Sequence, residues 1–226
     1  EISFDNPVID LQKNTISTLN LIDYGVKNRV NSMLYASSMS VYGAVQSMPV
    51  KEENTNQPLS CYGVGKLASE GYLKIFQKKL PSISLRMFNV YGPGQDMANL
   101  RQGMVSIYVA QAVKNNNIEV KGSVDRFRDF IYIDDIVETW FRLSNEPKAL
   151  GKTFNLATGK KTTVEELLRK ICQYLPGSKY YINQSTPGDQ NGIYADISGL
   201  GKFIDTGQFT SLDDGLRKFI GSSTLI

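Results

Sequence analysis

The chain has 226 residues, 41% of them hydrophobic and 21% charged, with 25 basic against 22 acidic side chains for a net charge of +3. That balance suits one large or two small globular domains, able to bury about 70% of the unfolded surface, and with no basic run longer than two it argues against a nucleic-acid partner. The absence of histidine, with only Cys61 and Cys172 as thiols, excludes the usual zinc sites and every mechanism built on a histidine base.

Val8, Leu11, Thr15, Leu19 and Ile22 recur at steps of three and four and predict a helix from Pro7 to Tyr24. A short strand is expected at 32–36, then a Ser-, Gly- and Pro-rich loop to Ser60. Ser60, behind Pro58, is placed to cap a second helix from Tyr62 to Lys79. SISLRMF (82–88) reads as a strand ended by NVYGPGQ. A helix over 103–115, a strand at 118–120, a helix from Asp134 or Asp135 to Leu143 and a strand at 154–157 follow. Thr162 and Glu165 form a capping-box pattern that opens a helix to Tyr174, and a last short helix starts near Ser211. Phe127, Phe130 and the single Trp140 read as core, and Cys61 as a small packing residue. Alternation of strand and helix over the first 90 residues predicts an α/β fold with a parallel sheet, and the looser remainder a lobe around a cleft.

CYGVGK (61–66) sets Tyr62 and Lys66 one helical turn apart, so a phenol and an ammonium share one face. With 12 tyrosines and 17 lysines, chance alone supplies about one such spacing, so the neighbouring motifs must decide its meaning. ASSMSVYG (36–43) comes directly after a strand, where ligands sit in a doubly wound sheet, although a serine-rich turn also satisfies its own backbone. Without histidine, acid–base chemistry near neutral pH must use a perturbed Tyr, Lys, Cys or carboxylate.

The order SSxSVYG, YxxxK, LRMFNVYGPGQ (85–95), RFRDFIYIDDI (126–136) and TPGDQNGIYADIS (186–198) resembles the extended short-chain dehydrogenase/reductases. Within these it is most similar to NAD-dependent nucleotide-sugar epimerases and dehydratases, from about residue 10 to the C-terminus. The resemblance implies part of a Rossmann-type doubly wound sheet over 1–95 and a smaller nucleotide-sugar lobe over 96–226, with segments near 126–160 returning to the first domain. It implies that Ser38 bonds the reacting sugar oxygen, Tyr62 is the acid/base, and Lys66 holds the nicotinamide ribose and acidifies the phenol. Asn14, Ala36 and Met87 are then cofactor neighbours; Ser40, Asn89, Gln102, Lys121, Arg128 and Asp189 are substrate neighbours, and no metal is used. A forked guanidinium such as Arg128 suits a diphosphate better than an ammonium does. Lowering a phenol from about 10 to about 7 requires roughly 4 kcal/mol, the size of one unit charge about 4 Å away.

Two departures from the pattern stand out. The family opens with about 80 to 90 further residues, a βαβ half whose Gly-rich turn takes the cofactor pyrophosphate on a helix N-terminus. The expectation is therefore a fragment of a longer protein, or one that has lost this half. Gln184, Ser185 and Thr186 stand where the family often carries an arginine before PGD, and Lys121 replaces a residue that is often aromatic or aliphatic near the base.

The resulting expectation is an NAD-dependent epimerase acting at C4 of a UDP-linked hexose through a transient 4-keto sugar. A dehydratase or decarboxylase, a simple ketoreductase and a non-catalytic remnant are the alternatives. Ser38-Met39-Ser40 lacks the acid pair usual beside the serine of dehydratases, and the RDF and PGD segments speak against a small ketone. Two helices apolar on two sides predict a homodimer through a four-helix contact. A reduced, cytosolic setting is expected, because no apolar run approaches the 18 or so residues of a membrane span and no signal-peptide pattern is read.

Overall fold

The structure, a computed structural model, describes residues 2–101, 103–183 and 191–223. The chain divides into two compact units: Glu1–Phe88 with Glu138–Leu156 and Asp196–Asp205, and Asn89–Val137 with Ala157–Ala195 and Thr206–Ile226.

In the first unit, α1 (Ile2–Asp5) precedes α2 (Pro7–Leu11), whose N-terminus is capped by the Asn6 side chain accepting from Ile9 N at 3.1 Å. The single helix expected over 7–24 is interrupted: a π turn at Gln12–Ile16 separates α2 from α3 (Ser17–Lys27). Side chains bond carbonyls one turn back through this stretch, Asn14 to Asp10, Ser17 to Lys13 at 2.5 Å and Thr18 to Asn14 at 2.6 Å. Such back-bonding competes with the regular ladder and widens the turn. β1 (Met33–Ser38), α4 (Cys61–Phe76) and β2 (Ser82–Met87) follow.

β2 lies between β1 and β7 (Thr153–Leu156), all parallel, with Ser38 opposite Met87 and Met87 opposite Leu156. Ile22, Tyr35, Leu73 and Leu80 pack α3 and α4 onto β1. Arg86 on β2 and Glu70 on α4 form an ion pair at 2.7 Å with side chains 5% and 9% exposed. Ser37 donates to the same Glu70 carboxylate, and Arg86 also donates to the Glu52 carbonyl.

The second unit contains β3 (Asn89–Tyr91), α5 (Met104–Asn115), β4 (Asn117–Lys121), β5 (Phe127–Arg128) and β6 (Phe130–Tyr132). After α6 (Ile133–Ser144), which runs from this unit into the first, come β8 (Thr162–Thr163), α7 (Val164–Tyr174), β9 (Lys179–Asn183) and α8 (Leu212–Ser223). β3 pairs with β6 and β4 with β9, both parallel, while β5 and β8 are antiparallel. Val109, Ile118, Leu167, Leu168, Leu216 and Phe219 fill the core between the helices and β4. The cap of α7 falls one residue later than its pattern suggested. Thr163 accepts from Glu166 N at 3.1 Å, because Thr162 is taken into β8 opposite Arg128. Phe127 and Phe130 are buried as expected, whereas Trp140 is only half-buried.

Candidate active site

At the end of β1 the backbone is still extended at Ser38, whose side-chain oxygen accepts from Ser40 N at 3.2 Å and starts a short turn, Met39–Val41. Ser60 caps α4 by accepting from Gly63 N at 3.1 Å, so Tyr62 enters the first turn and Lys66 the second. The two ends meet because residue 63 has no side chain: a Cβ there would lie 2.4 Å from the Ser40 carbonyl oxygen. The Ser38 hydroxyl lies close enough to the Tyr62 phenol to favour its ionised form. Lys66 Nζ donates to the Ala36 carbonyl at 2.9 Å and stands 5.1 Å from the centre of the Tyr35 ring and 5.4 Å from that of Tyr62. Met87 lies beside Ser38 on the neighbouring strand. The π turn presses Asn14 and Thr15 onto α4, where Thr15 Oγ1 donates to the Gly65 carbonyl at 3.2 Å and Ser69 Oγ reaches the Asn14 carbonyl at 3.4 Å. Asn14, Ala36, Ser38, Ser40, Tyr62, Lys66 and Met87 thus gather at one corner of the first unit.

The electrostatics differ from the expectation that Lys66 acidifies the phenol. Burial pushes Tyr62 above its ordinary value; the Ser38 hydroxyl opposes this and the Asp10 charge adds to it. Burial pushes Lys66 down, and the Asp10 charge holds it up. Desolvation is the largest influence on the phenol, and the Lys66 ammonium is engaged with the Ala36 carbonyl.

In the second unit, Asn89 and Arg128 come to one corner. Asn89 Nδ2 donates to the Asp129 carbonyl at 2.9 Å, and Arg128, half-buried on β5, donates to the Phe127 carbonyl at 2.7 Å. Lys121 ends β4 with its side chain exposed, and its carbonyl accepts from Arg126. Gln102 and Asp189 lie outside the described residues.

Sequence reasoning passed over three residues. Asp10 accepts from Asn14 Nδ2 at 3.1 Å, and its spacing of four from Asn14 was the available signal. Tyr35 supplies the second ring beside Lys66, one strand position before Ala36. Asp129, fully buried, accepts at 2.8 and 2.6 Å from Thr158 and at 2.9 and 3.2 Å from Gly159 N and Ala195 N. Burial pushes its carboxyl above the usual range, against those hydrogen bonds.

Residues 1–157 match the NAD dependent epimerase/dehydratase family. A putative UDP-glucose 4-epimerase of Methanocaldococcus jannaschii is 32% identical over 200 residues, 86% of this chain and 64% of the relative. A dTDP-4-dehydro-6-deoxyglucose reductase of Escherichia coli is 31% identical over 87% of this chain and 62% of its own length. The chain thus spans under two thirds of both relatives. The structure of a UDP-glucose 4-epimerase with UDP-glucose from Thermotoga maritima superposes with a TM-score of 0.91 at 28% identity, over 100% of this chain and 74% of that one. With well over half of its length matched and a Rossmann-like parallel sheet whose β1 ends in Ser38, followed by α4 with Tyr62 and Lys66, the chain belongs to the NAD dependent epimerase/dehydratase family, whose cofactor is NAD.

Proposed function

We propose that this protein is an NAD-dependent epimerase that inverts C4 of a UDP-linked hexose. The observation that carries the reading is the close approach of the Ser38 turn, at the carboxyl end of β1, to the start of α4, where Tyr62 stands with Lys66 on the next turn of the same helix. The 4-epimerase names of the relatives and the lack of an acid pair beside Ser38 support it.

The donor set fits a nicotinamide ribose. An ammonium has three N–H groups, and Ala36 takes one from Lys66, leaving two suited to a diol, with Asn14, Ala36 and Met87 proposed as cofactor neighbours. NAD, when bound, supplies the hydride acceptor and donor that carry the sugar through a transient 4-keto form. Tyr62 takes the proton of the C4 hydroxyl and later returns it, and Ser38 orients that oxygen. Lys66 supplies positive charge close to the phenol. In the second unit, Arg128 and Asn89 are the groups proposed to hold the substrate diphosphate, with Lys121 toward the base. Ser40, Gln102 and Asp189 belong to the same substrate set. The enzyme is proposed to work in the cytosol as a homodimer.

The test is Tyr62→Phe, assayed by interconversion of UDP-glucose and its C4 epimer with NAD present. Removing one oxygen keeps the ring, and a turnover loss of about 10²–10⁴-fold is expected. Retention of more than about a tenth of parental turnover removes Tyr62 from the proton-transfer role.

A further inference from the structure

One position behind Ser38 lies a row of polar side chains that the chemistry above does not use. Ser37 on β1 is opposite Arg86 on β2, and Arg86 is opposite Asn155 on β7. All three are buried, as is Tyr42, the residue that follows the serine turn. Glu70 ties the row to α4, where it follows Tyr62 and Lys66 on the same face at steps of four.

Ser37 Oγ donates to Glu70 Oε1 at 2.5 Å, and Arg86 donates to both oxygens of that carboxylate at 3.0 and 2.7 Å. At the other end of the row, Tyr42 OH donates to Asn155 Oδ1 at 2.6 Å. Asn155 Nδ2 in turn donates to the Val50 and Asp196 carbonyls at 2.9 and 3.1 Å. Arg86 joins the two ends: its guanidinium lies 4.8 Å from the centre of the Tyr42 ring and donates to the Glu52 carbonyl at 3.0 Å. The Glu52 carboxylate accepts from Asn155 N at 2.8 Å.

Between these two anchors runs the turn that carries the candidate serines. Ser37 precedes Ser38, whose Oγ accepts from Ser40 N at 3.2 Å, and Tyr42 closes the turn with its N–H on the Met39 carbonyl at 3.1 Å. Stability alone does not call for polar groups here, since apolar residues of similar volume often replace a buried ion pair without loss. What apolar side chains lack is direction, which a buried hydrogen-bonded network imposes.

We propose that Ser37 and Tyr42 are positioning residues that bracket the Ser38 turn, the first against the helix carrying Tyr62 and Lys66, the second against β7. Each acts through the turn and not on the substrate. The proposal rests on the reading that Ser38 orients the reacting oxygen.

Amide hydrogen exchange of the intact protein, followed by NMR, tests the bracket. The Ser40 amide is the reporter because it donates to Ser38 Oγ, and the amide of Leu85, buried in the central strand, reports general loosening. Ser37→Ala and Tyr42→Phe each remove one hydroxyl. Each is expected to speed Ser40 exchange about 3- to 10-fold, the opening that loss of one hydrogen bond allows, and by a larger factor than any change at Leu85. In the 4-epimerase assay kcat is expected to fall about tenfold, inside the limit of about 100-fold for a 1 Å misplacement, while KM stays near the parental value. Ser37→Ala leaves the Glu70–Arg86 pair in place and carries the test if Tyr42→Phe does not fold. Ser40 exchange within about twofold of the parent, or rising only in step with Leu85, overturns the proposal, and so does an unchanged kcat beside faster Ser40 exchange. A parent protein without 4-epimerase turnover refutes the epimerase reading instead, and the exchange rates then decide the bracket by themselves.

Discussion

Gly63→Ala places one methyl group where α4 meets the serine turn. The added carbon would lie 2.4 Å from the Ser40 carbonyl oxygen and 2.9 Å from Pro58 Cβ. Relaxed carbon–oxygen contacts are about 3.3 Å or more, so the helix start and the turn must separate by roughly 0.9 Å along that line. The obstacle is backbone, which no side-chain rotation relieves. Overpacking of this kind costs about 1–3 kcal/mol, while exchanging Gly for Ala inside a helix returns about 1, so the net loss of stability is modest, about 0–2 kcal/mol. The larger consequence falls on the site, because Tyr62 precedes the substituted residue and Ser38 begins the displaced turn. A misplacement near 1 Å costs up to about 100-fold in rate. Gly71→Ala is the matched control, since nothing lies within 4 Å of its Cβ position on the same helix. It should stabilise by up to about 1 kcal/mol and leave turnover alone. Urea unfolding and 4-epimerase assays of both variants measure the contrast. Equal turnover and equal or higher stability in Gly63→Ala would refute the claim that this glycine sets the Ser38–Tyr62 approach.

Glu70→Gln leaves the Arg86 charge buried without its partner and should cost about 3 kcal/mol in urea unfolding; replacing both by Met and Leu should recover much of it, and a loss below about 1 kcal/mol in the single variant would contradict the ion-pair account. Arg128→Ala should weaken UDP binding by about 1.5–3 kcal/mol in calorimetry, with Arg128→Lys recovering only part because an ammonium lacks the fork; unchanged affinity in a folded variant removes Arg128 from the site. Ile9 and Ile16 along the first helical stretch and Val64, Tyr72 and Ile75 on α4 are exposed, Ile75 by 75%, which supports a homodimer through these helices; sedimentation should show a dimer, and Ile75→Lys should dissociate it. A monomer at tens of micromolar in the parent protein counts against that arrangement.

Much of this protein is written in local patterns, and those are the parts the sequence determined by itself. The Ser60 cap, the helix behind it, the strand before the serine turn and the shared face of Tyr62 and Lys66 all follow from periodicity within a few residues. Hydrophobic spacing likewise located α5, α6 and the strands of the central sheet to within one or two residues. The π turn at Gln12–Ile16 escaped because a pattern of apolar steps does not register side chains that bond their own backbone. Thr163 rather than Thr162 caps α7 because β5, some 35 residues away in sequence, claims Thr162 as its partner. Only the tertiary structure set Asp10 against Gly65, and only it buried the Tyr62 phenol, which pushes it above its ordinary value. Helical spacing brings charges onto one face, but the dielectric around them depends on what the rest of the chain packs against it, and that is a property of distant residues.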